Sequence, residues 1–215
     1  MLGSLSPVVK NLLLVNVLFF LGTAAWRPQV SLAAYPDIAS FMDLGYYALT
    51  AFPWDSKYFY PVQVVTNMFM HADLWHLLFN MLMLFFFGRM VEQAMGPQRF
   101  LGFYLGCGIV GLLAYWLGGA AFGTLDPRIP VLGASGAVYG VLLSLAYMAP
   151  DITVRLLIPP IPVKLGYLAI GLVAFDLFQA WTGTGGNTAN FAHIGGAVFG
   201  LLLTMYWVRT GVIRA

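Results

Sequence analysis

The sequence predicts an all-α membrane protein, a compact bundle of six transmembrane helices with a long structured first loop and both termini cytoplasmic. Three observations point there. Of 215 residues, 60% are hydrophobic and 8% charged, against about 25% charged in an average soluble domain, too few for a surface that faces water. Mean hydropathy is +0.84, and the apolar runs are long enough to cross a hydrocarbon core of about 30 Å as helices. The alternating strands of about ten residues that mark a membrane β-barrel are missing from the sequence pattern.

Apolar runs bounded by Pro, Gly and charge place the spans at about 9–25, 74–95, 99–121, 134–149, 162–181 and 190–209. The first follows a short, weakly polar stretch, Met1 to Lys10. Its core, Asn11 to Leu21, has the look of a secretion signal, but Gly22-Thr23-Ala24-Ala25-Trp26 is a poor cleavage context, so a retained helix is expected. Arg27 to Asp73 then forms a connection too long to be a plain turn. Its Tyr46, Tyr47, Phe52, Trp54, Tyr58, Phe59 and Tyr60 argue for order at the membrane interface. Spans two and three are divided at Gly96-Pro97, span four opens after Asp126-Pro127-Arg128-Ile129-Pro130, and span five follows a proline cluster. No internal repeat is visible, so residues 1–215 read as a single domain.

With the amino terminus cytoplasmic, Lys10, Arg89, Arg99, Arg155, Lys164, Arg209 and Arg214 fall inside and only Arg27, Lys57 and Arg128 outside, which satisfies the positive-inside rule. Asp37, Asp43, Asp55, Asp73 and Asp126 then fall outside. A net charge of +2, spread along the chain, does not suggest nucleic acid. The single cysteine, Cys107, lies in an apolar segment and reads as a packing residue.

In this topology spans two, four and six run from outside to inside, and polar residues collect at their outer ends. Span two begins with His76 and Asn80, which share a helical face, span four with Ser135, and span six with Asn190 and His193. Gly133-Ala134-Ser135-Gly136-Ala137 ordinarily signifies close helix packing, and His76 with Asn80 an interfacial pair. The combination reads differently. Gly136 and Gly140 beside Ser135, and Gly196 and Gly200 near His193, are matching small-residue seams that would bring the hydroxyl within reach of the imidazole. A serine activated by a neutral imidazole is a nucleophile for acyl transfer, and the negative carbonyl oxygen that results needs donors, which His76, Asn80 and the Ser135 amide can supply.

Four stretches in order carry a family resemblance. They are His71-Ala72-Asp73-Leu74-Trp75-His76-Leu77-Leu78-Phe79-Asn80, then Gly88 with Glu92-Gln93-Ala94-Met95-Gly96, then Gly133-Ala134-Ser135-Gly136-Ala137-Val138-Tyr139, then Ala192-His193-Ile194-Gly195-Gly196. Residues 66–200 resemble the rhomboid intramembrane serine proteases, in the six-span bacterial form. The resemblance implies Ser135 as nucleophile and His193 as general base in a dyad without a carboxylate. It implies His76, Asn80 and the Ser135 amide as the oxyanion hole, and Tyr139 packed on the His193 ring. It also implies that Gly133, Gly136, Gly196 and Gly200 support the approach, and that Glu92 is structural. The Trp-Arg pair usual in the family's first loop is replaced here by Val62-Gln63, which leaves the anchoring of that loop open. Asp176, toward the outer end of span five, is by type a third triad member, but a structural hydrogen-bonding role is preferred.

The expected partners are transmembrane protein substrates and the lipid bilayer, with no nucleic acid and no cofactor. No metal is expected, because no Cys or acidic partner completes a ligand set with His71 and His76. The minimal six-span form suggests a bacterial inner membrane, with the site opening to the periplasmic or extracellular side. From Ser135 to Pro150 a helix rises only about 22 Å, so the serine should lie below the outer surface in a water-filled cavity. The competing readings are a non-proteolytic rhomboid-like binder of spans, and a channel or transporter. The second is disfavoured because the inner halves of spans two, four and six read as apolar.

Overall fold

The computed structural model describes residues 6–24, 46–156, 159–182 and 189–214. The first part of the long loop, with Arg27, Asp37 and Asp43, lies outside the described residues. The fold is built from α1 (Pro7–Ala24), α2 (Leu74–Met95), α3 (Pro97–Ala121), α4 (Ser135–Met148), α5 (Leu165–Thr182) and α6 (Ala189–Arg209). Among the described residues α2, α3, α5 and α6 are long and apolar enough to cross a membrane, while α4 and Pro7–Thr23 of α1 are shorter apolar helices. The chain is a multi-pass integral membrane protein.

Local chemistry sets the helix ends. Asp73 caps α2 with extended backbone, its carboxylate accepting from the His76 amide at 2.8 Å. Gly96, at φ 78°, makes the corner into α3, and Pro97 starts that helix where no amide partner is needed. Within α2 the five residues Leu84–Gly88 form a π-helical turn. An inserted residue turns everything after it by about 100° about the axis. The turn precedes Glu92, which is buried and accepts from the amides of Val8 and Val9 at 3.1 and 2.8 Å. A carboxylate on one helix thus satisfies the free donors at the start of another.

The centre of the bundle is α4, packed against α3, α5, α6 and both halves of α2. Close approach rests on missing side chains. A Cβ on Gly196 would overlap the Gly136 carbonyl oxygen, and one on Gly200 would lie 2.7 Å from the Gly140 Cα. A third helix joins through Gly111 of α3, whose Cβ would stand 2.7 Å from the Ala192 oxygen. Lower in the same seam Ser144 and Thr204 hydrogen bond at 2.7 Å, both fully buried. The C-terminal halves of α4 and α6, expected to be apolar, therefore each carry a buried hydroxyl. The Thr204 hydroxyl donates to the Gly200 carbonyl at 2.8 Å, which leaves its oxygen to accept from Ser144.

The first loop folds on its own small core. Tyr46, Tyr47, Phe52 and Met70 are buried together, so three of the aromatics assigned to the membrane interface line a protein interior instead. That interior continues into the bundle, since Phe19 of α1 packs against it and Trp54 and Phe59 meet Trp116 of α3 edge-on. Trp54 and Tyr60 remain exposed. Gln63 stands where the family's arginine is expected and is fully buried. Its amide donates to the carbonyls of Tyr47 and Tyr58 at 3.2 and 3.0 Å, and its oxygen accepts from the amides of Phe52 and Tyr60 at 3.4 and 3.1 Å. One neutral side chain ties four points of the loop.

Between α4 and α5 lies an antiparallel hairpin, β1 (Thr153–Arg155) with β2 (Pro162–Lys164), that was not expected. It corrects the start of the fifth helix, because 162–164 pair as a strand before Leu165 turns helical. A Lys164–Asp151 ion pair at 2.7 Å closes its base.

Candidate active site

Ser135 is the first residue of α4, and the segment before it is held by the first loop. Ala51 and Val131 exchange backbone hydrogen bonds at 2.9 and 2.8 Å, and the Gly133 amide donates to the Asn67 carbonyl at 2.9 Å. Gly133 sits at φ 124°, and a Cβ there would stand 2.8 Å from the His76 ring. Only glycine fits, on both backbone and space. In the loop feeding this segment Arg128 grips Asp126 through two side-chain bonds of 3.0 and 2.8 Å, and those bonds hold the Asp126 carboxyl below its usual range.

From α6, His193 brings Nε2 to 2.8 Å from the Ser135 Oγ. Its ring stacks on Tyr139, one turn further along α4, with centroids 4.5 Å apart and planes 14° from parallel. On the other side of the imidazole Nδ1 lies 3.3 Å from Oδ1 of Asp176 on α5. That carboxylate is buried, and the Tyr139 phenol lies close to it as well. With a proton on Nδ1 facing the carboxylate, Nε2 is free to accept from the serine hydroxyl.

His76 and Asn80 stand on the α2 side. The Ala72 amide donates to His76 Nδ1 at 3.3 Å, which leaves the proton of the neutral ring on Nε2, the edge that lies against Gly133. Asn80 is buried and donates one amide hydrogen back to the His76 carbonyl at 2.9 Å, keeping its second hydrogen. His71 packs edge-on against His76, centroids 5.0 Å apart. Behind the serine a cavity of about 30 Å³ is bounded by Asn67, Gly108, Leu112, Gly133 and Ala192, large enough for a water molecule.

The structure therefore brings Ser135, His193, Tyr139, His76 and Gly133 together, with Asn80 one turn behind His76. A family model described as Rhomboid domain matches residues 59–210. The chain belongs to the rhomboid family. Rhomboids are a family of intramembrane proteases. Similar relatives are rhomboid protein 1, mitochondrial, of Saccharomyces cerevisiae, 32% identical over 67% of this chain and 41% of that one, and rhomboid-like protein 12, mitochondrial, of Arabidopsis thaliana, 32% identical over 68% of this chain and 45% of that one. The human presenilin-associated rhomboid-like protein, mitochondrial, is 26% identical over 66% of this rhomboid and 37% of that one. This chain spans less than half the length of these relatives. Their names place them in mitochondria, which lends no support to the bacterial inner membrane expected from the six-span form.

The contact of this rhomboid least visible in its sequence is that of Asp176 with His193, 17 residues apart on separate helices. The available signal was an acidic residue inside an apolar span, which is costly unless it has a task or a partner.

Proposed function

We propose that this chain is an intramembrane serine endopeptidase that hydrolyses peptide bonds in or near the outer end of substrate transmembrane helices. The reading is carried by the 2.8 Å contact between Ser135 and His193 at the start of two closely packed helices. Residues 1–215 act as a single domain whose six helices all cross the bilayer, with both termini cytoplasmic.

His193 takes the Ser135 proton as Oγ bonds to the scissile carbonyl carbon, and the carbonyl electron pair moves onto oxygen. His76 Nε2–H, the second Asn80 hydrogen and the Ser135 amide stabilise that oxygen. His193 returns the proton to the departing amine as the C–N bond breaks, leaving an acyl-enzyme. Water then attacks through the same base, releasing the new carboxyl end. Tyr139 holds the imidazole plane, and Gly133, Gly136, Gly196 and Gly200 permit the approach of the elements carrying these groups. A substrate span must unwind to present its carbonyl, so Gly, Ala, Ser or Pro near its outer end should favour cleavage.

The test compares wild type, Ser135→Ala and His193→Ala on a single-span reporter in liposomes. Cleavage by wild type alone is expected, and retained cleavage by Ser135→Ala would reject the mechanism. The other reading, a non-proteolytic binder of spans, predicts reporter binding without cleavage in all three.

A further inference from the structure

We infer that Asp176 is a positioning residue for the His193 base, so that the site works through three side chains rather than two. The inference rests on reading Ser135 and His193 as nucleophile and base. The two ring nitrogens divide their partners, with Nε2 on Ser135 Oγ at 2.8 Å and Nδ1 facing Asp176 Oδ1 at 3.3 Å. Stacking on Tyr139 fixes the ring plane, so rotation that would exchange those partners is blocked.

The surroundings of the carboxylate favour this role over a purely structural one. Asp176 is 4% exposed, and its carboxylate faces the imidazole and the Tyr139 phenol, the two rings that stack on one another. On α5 the buried residues are Leu165, Ala169 and Asp176, whereas Phe175, Leu177 and Phe178 around it face outward. The helix thus turns one charged group inward, and it meets the imidazole.

In the reaction Asp176 neither gains nor loses a proton. When the Ser135 proton moves to Nε2 the ring becomes a cation with hydrogens on both nitrogens. The Nδ1 hydrogen stays bonded toward Oδ1, and the fixed negative charge stabilises the cation until Nε2–H protonates the leaving amine. Before the reaction the same contact holds the neutral ring in the tautomer whose Nε2 can accept.

The experiment has two arms. In liposomes Asp176→Asn and Asp176→Leu are compared with wild type for reporter cleavage, for Ser135 labelling by a fluorophosphonate and for thermal unfolding. A fall in kcat of about 100-fold or more is expected, with KM within about 2-fold and labelling slowed in parallel. Asp176→Leu, which removes a buried charge, should unfold no earlier than wild type. Wild-type kcat in either folded variant, or losses that only track unfolding, would overturn the role. The second arm needs no variant of Asp176. Nitrogen-15 spectra of His193 in the wild-type protein, assigned by their loss in His193→Ala, should show the neutral ring protonated at Nδ1, and protonation at Nε2 would overturn the inference. If wild type cleaves no reporter the protease reading fails, while labelling and the tautomer still decide on Asp176.

Discussion

Ala51 and Val131 exchange both backbone hydrogen bonds, tying the first loop to the segment that delivers Ser135. The loop in turn hangs on Gln63, so the order of Ser135 depends on a residue in another part of the chain.

Gln63→Ala should therefore cost more than the loss of a side chain. It strips partners from buried amides and carbonyls, each worth about 1–3 kcal/mol when unsatisfied. We expect a destabilisation of at least about 2 kcal/mol and earlier proteolytic nicking within 46–70, followed by gel and thermal unfolding. Gln63→Glu, which keeps the acceptor but loses both donors, should be intermediate or worse.

Gly196→Ala should reduce activity by about 100-fold or more, because the added carbon meets the Gly136 carbonyl and separation by even 1 Å spoils proton transfer. Gly171→Ala is the control. Its Cβ would meet nothing within 4 Å, so this exchange on α5 should leave cleavage unchanged and stabilise the helix by about 0.5–1 kcal/mol.

Glu92→Ala removes the acceptor from two amides at the start of α1 and should destabilise by about 2–4 kcal/mol. Faster hydrogen exchange at Val8 and Val9, with the α4 amides unchanged, would mark the loss as local to that joint. Glu92→Gln retains one neutral acceptor and should recover part of the loss.

Gly133→Ala tests the turn before the serine. Strain at φ 124° and collision with His76 should displace the ring and lower kcat, while unfolding shifts less than for Gly196→Ala, since the change lies at the end of the bundle and not in its seam.

Helix bounds were legible to within about three residues because Pro, Gly and charge punctuate them. Ser135 and His193 were legible as a pair because small residues at helical spacing predict which faces come together. Other features leave no periodic trace. The π turn at Leu84–Gly88 reads as ordinary apolar helix, since a one-residue insertion changes facing and not composition. The hairpin after α4 is three residues per strand, too short for alternation to show. Gln63 looked like a missing anchor because its position was judged by charge, whereas backbone donors and acceptors need only an amide that offers both. Asp176 meets His193 through the angle between α5 and α6, a quantity that single-helix periodicity does not contain.

The seam between α4 and α6 sets the spacing of the Ser135 hydroxyl and the His193 imidazole through peptide backbones in contact, without side chains between them. Side chains can change rotamer and absorb a disturbance, and a glycine seam has no such play. Exchanging lipids around the outward-facing residues of α5 should leave the distance from hydroxyl to imidazole almost unaltered. On the proposed protease reading, lipid composition would then govern how readily a substrate arrives and unwinds, and hardly at all how fast an arrived peptide bond is cut.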